Sequence, residues 1–202
     1  MVDMGTRMFV AVRPPESVVD TLTALVEPRR EADPQVRWIR TDQAHVTLAF
    51  LPDVADGMEE RLIEALGRVA RRTDAFDLVL DGAGAFPDVT RARELYQGIT
   101  TGGADIGTLA SRVRTAIQRS GNQHDPTRFV AHLTLARIRK PEDATKWWRI
   151  IDAFPHQAFP VTHVELYSST LHGSGADHTL VRSFELRTTA PKVPVDAVPP
   201  SA

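Results

Sequence analysis

Apolar positions along this chain fall into short runs and into one-sided helical spacings. Arg7–Val12 is a compact apolar run and predicts a first strand. After Pro14-Pro15-Glu16 the apolar side chains Val18, Val19, Leu22 and Leu25 predict a helix to about Val26, with the prolines where a helix start tolerates them. Val36–Ile39 and His45–Leu51 predict two further strands. Asp53 is a candidate cap for a helix to about Arg72, with Met58, Leu62, Leu66 and Val69 on one side. Phe76, Leu78 and Leu80 alternate with Asp77, Val79 and Asp81, a half-buried strand expected to end at the Gly82–Pro87 turn. Glu94–Ile99 predicts a strand. Ile106, Leu109, Val113 and Ile117 predict a helix stopping near Gly121. Strands are then expected over Phe129–Ile138, Val161–Tyr167 and His178–Leu186, with a short helix over Pro141–Ile151. This order is not the steady strand–helix repeat of a doubly wound parallel sheet. It predicts an α+β fold with mainly antiparallel sheets.

Composition narrows the picture. At 202 residues, 42% hydrophobic and 25% charged, the chain has the make-up of a soluble globular protein of one domain, or of two small lobes sharing a core. That domain is expected over residues 1–189, and the proline-rich stretch from 190 to 202 reads as a disordered tail. No apolar run has the length needed to cross a bilayer, and Arg13 comes too early for a secretory signal, so a cytoplasmic location is expected. The absence of cysteine removes disulfides, thiolate nucleophiles and cysteine metal sites. A net charge of −2 leaves no broad basic field, so any nucleic-acid contact should be local, at an end or in a pocket.

Against this background one pattern occurs twice. His45-Val46-Thr47-Leu48-Ala49 and His132-Leu133-Thr134-Leu135-Ala136 are the same string, H-φ-T-L-A, and such self-similarity points to two equivalent half-units. Both lie in strand-like surroundings. Side chains at i and i+2 share a strand face, so His45 points with Thr47 and His132 with Thr134, while the residues between them point into packing. Facing each other, two such units would surround a small ligand with two imidazoles and two hydroxyls. That set suits acid–base catalysis on a phosphate ester: one imidazole takes a proton from the nucleophile, and the other gives one to the leaving oxygen. The hydroxyls of Thr47 and Thr134 are then candidates to position the phosphate. A metal reading is not supported, because no Asp or Glu lies within two positions of either histidine. The plainer alternative, two ordinary strand histidines, fits either copy alone better than it fits the matched pair.

At these residues the sequence resembles the two-histidine phosphoesterases, and within them the RNA 2′,3′-cyclic phosphodiesterase branch, also called the 2′-5′ RNA ligase family. The resemblance runs over about residues 6–187. It includes Arg7-Met8-Phe9-Val10-Ala11-Val12, Val36-Arg37-Trp38-Ile39, Gly84-Ala85-Phe86-Pro87 and Leu166-Tyr167-Ser168-Ser169-Thr170-Leu171. It implies a bilobal α+β fold with a pseudo-two-fold axis, two mainly antiparallel sheets, helices outside and a central cleft. It also implies hydrolysis of a terminal 2′,3′-cyclic phosphate on RNA to a 2′-phosphate, without metal or other cofactor, with weak reversible 2′-5′ ligation. His45 and His132 are then the catalytic pair and Thr47 and Thr134 bind substrate, with His132 as base toward water and His45 as acid toward the 3′ oxygen. The sequence departs from the family at Pro52, where glycine is common, at Ala131, where proline is common, and at His178, where tyrosine is usual.

Other positions fall out by alternation. A strand starting by Arg128 would put that side chain on the face of His132 and Thr134, making it a candidate phosphate ligand. Arg137 and Arg139 fall on the opposite alternation and read as surface. Phe50 groups with core residues Val46 and Leu48, although it could stack a base. At least one of Trp147 and Trp148 should be buried on a helix. The expected partner is RNA with a cyclic phosphate end, with no membrane and no protein partner, and a monomer suffices. The alternatives are a phosphodiesterase of small cyclic nucleotides or of ADP-ribose cyclic phosphate, and a nucleotide-binding module without catalysis.

Overall fold

A computed structural model describes residues 5–173 and 175–188. The tail expected from 190 onward lies outside them. Among the described residues, nine strands and four α-helices follow one another as β1 (Thr6–Val12), α1 (Glu16–Val26), β2 (Val36–Trp38), β3 (Val46–Val54), α2 (Glu59–Ala70), β4 (Phe76–Phe86), β5 (Ala92–Thr101), α3 (Gly103–Arg119), β6 (His132–Glu142), α4 (Thr145–Asp152), β7 (Gln157–Val161), β8 (His163–His172) and β9 (Gly175–Glu185). Two antiparallel sheets result. The first has the order β3-β1-β8-β9 and the second β2-β6-β5-β4-β7. The expected α+β architecture with mainly antiparallel sheets is what forms, and each H-φ-T-L-A string opens a strand of a different sheet.

The helices bury the stripes their spacing predicts, with a shift in α1, where Val26 is buried and Val19 and Leu25 are only partly so. Val18, Leu22 and Val26 of α1, Leu62 and Leu66 of α2, and Ile106, Leu109, Val113 and Ile117 of α3 all enter one apolar cluster. That cluster also holds Met8, Val10 and Val12 of β1 and Leu133 and Leu135 of β6, so both sheets share a single core. Trp147 of α4 is buried edge-on against Trp38, its indole N–H donating to Asp33. Trp148 is partly buried and donates to the carbonyl of Ala83. At the entry to α3, Gly102 has φ of +77°, and a Cβ there would lie 2.2 Å from the carbonyl oxygen of Asp77. Only glycine fits that turn.

Four expectations need correction. The helix α2 starts at Glu59 and is not capped by Asp53, because β3 runs on to Val54, which pairs with Thr6. Strand β4 does not stop at Gly82. It continues to Phe86, pairing with β7 over its first half and β5 over its second. The single strand expected from Val161 is two: β7 belongs to the second sheet and β8 to the first, with Thr162 between them. Pro160 hid β7 from pattern reading, and it is tolerated because β7 is an edge strand. Finally, β6 begins at His132, not near Phe129.

Candidate active site

Both motif strands carry the same irregularity at the same place. In β3, Thr47 pairs with Ala11 and Ala49 with Val10, leaving Leu48 as an extra residue. In β6, Thr134 pairs with Tyr96 and Ala136 with Leu95, leaving Leu135 over. Each is a β-bulge, which sets two residues against one and resets the alternation of faces beyond it. Leu48 with Ala49, and Leu135 with Ala136, are therefore buried side by side. The next residues, Phe50 and Arg137, turn out to the same side as His45 and Thr47, or His132 and Thr134. Strict alternation had placed Phe50 in the core and Arg137 on the far surface. Instead Phe50 packs on a small second cluster of Phe9, Ala11 and Tyr167, with Arg7 stacked 4.4 Å above its ring.

The two faces border one cleft of about 1000 Å³, lined by His45, Thr47, His132 and Thr134 together. Arg137 and Arg139 line it too. Arg128 does not join this lining; it is exposed in the loop before β6, so the strand argument that put it beside His132 does not apply.

Each imidazole is fixed the same way. Nδ1 of His45 donates to the carbonyl of Gln43 at 2.7 Å, and Nδ1 of His132 donates to the carbonyl of Val130 at 2.8 Å. A carbonyl can only accept, so Nδ1 carries the proton, and Nε2 of each neutral ring is left for chemistry. Each ring also sits among aromatics. His45 stacks on Phe9 at 4.7 Å, with His178 edge-on at 5.7 Å. His132 packs against Phe86 and Tyr96, each at 5.0 Å.

The electrostatics of the two halves differ. Burial pushes His45 down to about 4, against the opposing pull of the Gln43 carbonyl, and the positive neighbours His178, Arg137 and His132 add to the drop. His178 is lowered as well, first by burial and then by Arg137. Beside His132 stands Glu94, whose Oε1 accepts the Thr134 hydroxyl proton at 2.7 Å and lies 3.4 Å from Nε2 of His132. Arg137 approaches the other carboxylate oxygen at 3.6 Å. Burial alone would raise the Glu94 carboxyl, but these donors outweigh it and hold the group below its ordinary range.

Sequence reasoning missed Glu94, Phe9, Phe86 and Tyr96 as site residues and saw His178 only as a departure. Their signal is positional: Phe9, Glu94 and Tyr96 stand on strands paired with a motif strand, Phe86 and His178 lie further along the same two sheets, and only the pairing register shows it. Among the described residues, no three His, Asp or Glu side chains come together as a metal-ligand set.

A family model described as the 2′-5′ RNA ligase superfamily matches residues 14–173. The chain is 28% identical over 166 residues to the RNA 2′,3′-cyclic phosphodiesterase of Aquifex aeolicus, covering 78% of this chain and 87% of the relative. It is 30% identical over 194 residues to the protein of that name from Thermus thermophilus, covering 90% of each. Among solved structures, LigT of Escherichia coli complexed with 3′-AMP superposes with a TM-score of 0.71 at 26% identity, covering 90% of this chain and 98% of that one.

Proposed function

The chain belongs to the 2′-5′ RNA ligase superfamily, and on that premise we propose that it opens a 2′,3′-cyclic phosphate at an RNA end, leaving a 2′-phosphate. The observation that carries this reading is the convergence of both H-φ-T-L-A strings on one cleft, each imidazole tied at Nδ1 to a backbone carbonyl, which leaves Nε2 as its reactive nitrogen. The relatives named RNA 2′,3′-cyclic phosphodiesterase support the reaction class.

In the proposed step, water attacks phosphorus while one Nε2 removes its proton. The P–O3′ bond breaks, and the other Nε2 gives a proton to O3′. Burial keeps His45 neutral above about pH 4, so its Nε2 lone pair is unprotonated and open to a proton across the neutral range. A proton on Nε2 of His132 has the Glu94 carboxylate 3.4 Å away, which favours His132 as the donor. On this reading His45 is the base and His132 the acid, the reverse of the order the family resemblance implies. Thr47 is positioned to donate to a phosphate oxygen. The Thr134 hydroxyl gives its one proton to Glu94 in the free protein, so it would have to turn to the phosphate on binding. No step calls for a divalent ion. A 5′-hydroxyl taking the place of water would join two ends through a 2′-5′ bond, the weak ligation expected of the same machinery.

The test is a short RNA with a 2′,3′-cyclic phosphate end, offered in excess EDTA. Conversion to the 2′-phosphate is expected. Conversion only after divalent metal is added would remove the metal-free mechanism. Binding without turnover would remove the enzyme reading. Faster turnover of a mononucleotide cyclic phosphate than of the oligonucleotide would move the substrate to small cyclic nucleotides.

A further inference from the structure

The two halves of the cleft are related by register but not by charge. In the first sheet Phe9 of β1 stands opposite Phe50, the residue just past the bulge. In the second sheet Glu94 of β5 stands opposite Arg137, the corresponding residue past its own bulge. One half therefore has an aromatic wall where the other has a carboxylate.

The placement of that carboxylate is specific. Its side chain is only 24% exposed. It touches a hydroxyl, an imidazole nitrogen and a guanidinium, on Thr134, His132 and Arg137. These are the donors a phosphate would use. The remaining neighbours add no further acid: Tyr96 follows along β5, and Phe86 pairs with Glu94 from β4. Any phosphate held by His132 and Arg137 must sit beside a fixed negative charge.

Substrate and product of the proposed reaction differ in charge. A cyclic phosphate is a diester and keeps one negative charge, whereas the 2′-phosphate is a monoester and takes a second charge with a pKa of about 6. We propose that Glu94 is a charge-selecting residue, tolerating the monoanionic cyclic diester while working against the dianionic 2′-phosphate, so that hydrolysis itself loosens the hold on the product. This rests on the phosphodiesterase reading of the cleft. A Glu94 that only aligned His132 and Thr134 would affect mono- and diesters alike, so the ratio of their affinities isolates the selecting role.

The experiment measures equilibrium binding of adenosine 2′-monophosphate and of its methyl ester, which stays monoanionic, at pH 8. In Glu94→Gln, affinity for the monoester should rise at least about tenfold more than affinity for the methyl ester, as expected when a nearby, partly screened unit charge is removed. Glu94→Asp, which keeps the charge, should hold the ratio within about threefold of the wild-type value. The same ratio in Glu94→Gln and wild type would overturn the proposal. Should Glu94→Gln fail to fold, the wild-type protein still decides: between pH 5 and pH 8 the monoester must weaken relative to the methyl ester, and a relative gain would overturn the proposal. Turnover of cyclic-phosphate RNA measured alongside separates the two claims. Turnover with an unchanged ratio removes charge selection and leaves the reaction standing, whereas no turnover and no binding of either probe removes both.

Discussion

His45 and His132 share a motif, a tautomer and an aromatic setting, yet their surroundings differ, and the proposed mechanism gives them different work. His45 is held neutral by burial against Phe9, and among the described residues no carboxylate meets the ring to balance a positive charge. His132 has Glu94. Replacing either histidine with alanine should lower turnover by about 10²–10⁴, the usual worth of a proton-transferring side chain, with the fold retained. A substrate whose leaving group is a 3′-thiol needs no acid, so it should rescue His132→Ala and leave His45→Ala slow. The opposite pattern would restore the order implied by the family resemblance. Because the proposed base, His45, works only when neutral, the acid limb of kcat/KM should fall near pH 4 and not near 6.5. Phe9→Ala, which opens the pocket to water, should move that limb upward, as a pH–rate profile would show.

At the scale of the strand, the paired bulges decide what the cleft contains. In the second sheet β4 borders β5, the partner of the bulged strand β6: Gly84 pairs with Tyr96, and a Cβ at Gly84 would lie 2.1 Å from the Tyr96 ring. Gly84→Ala should push that ring out of its packing on His132. Turnover should fall by roughly ten- to a hundredfold, the scale of a small misplacement of a reacting group, with about 1–3 kcal/mol of lost stability by chemical denaturation. Most strands and helices were legible, because apolar spacing at Val18 and Leu22, or at Ile106, Leu109, Val113 and Ile117, reports burial directly, whereas β7 with its Pro160 was not. So were His45, Thr47, His132 and Thr134, because a duplicated string on strands fixes the face of its own residues. Alternation fails past Leu48 and Leu135, where each strand takes in an extra residue that no local pattern announces. Phe50 and Arg137 were misplaced for that one reason. Glu94 and Phe9 were invisible for another, since their meeting with the motifs depends on pairing between distant segments.

Over the whole molecule, one apolar cluster joins both sheets to the helices, so calorimetry should record a single unfolding transition rather than one for each lobe. Its pH dependence should carry the signature of His45. Between pH 6.5 and about 4 the unfolded chain binds a proton at this position that the folded chain refuses, so stability falls as pH falls through that window. The full effect is about 3 kcal/mol from the size of that shift. His45→Gln should show a correspondingly shallower decline in urea titrations at pH 7 and pH 4.5. An equal decline would mean that His45 is not the group responsible.

The interleaving of the sheets also imposes an order on assembly. The sheet that carries His132 draws all its strands from β2 to β7, whereas the sheet that carries His45 is closed by β8 and β9. On a ribosome, every strand of the half with His132 and Glu94 has been made while the other half still waits for its last hairpin. Because both sheets share one core, the cleft between the two imidazoles can first form when residues up to Glu185 have cleared the exit tunnel.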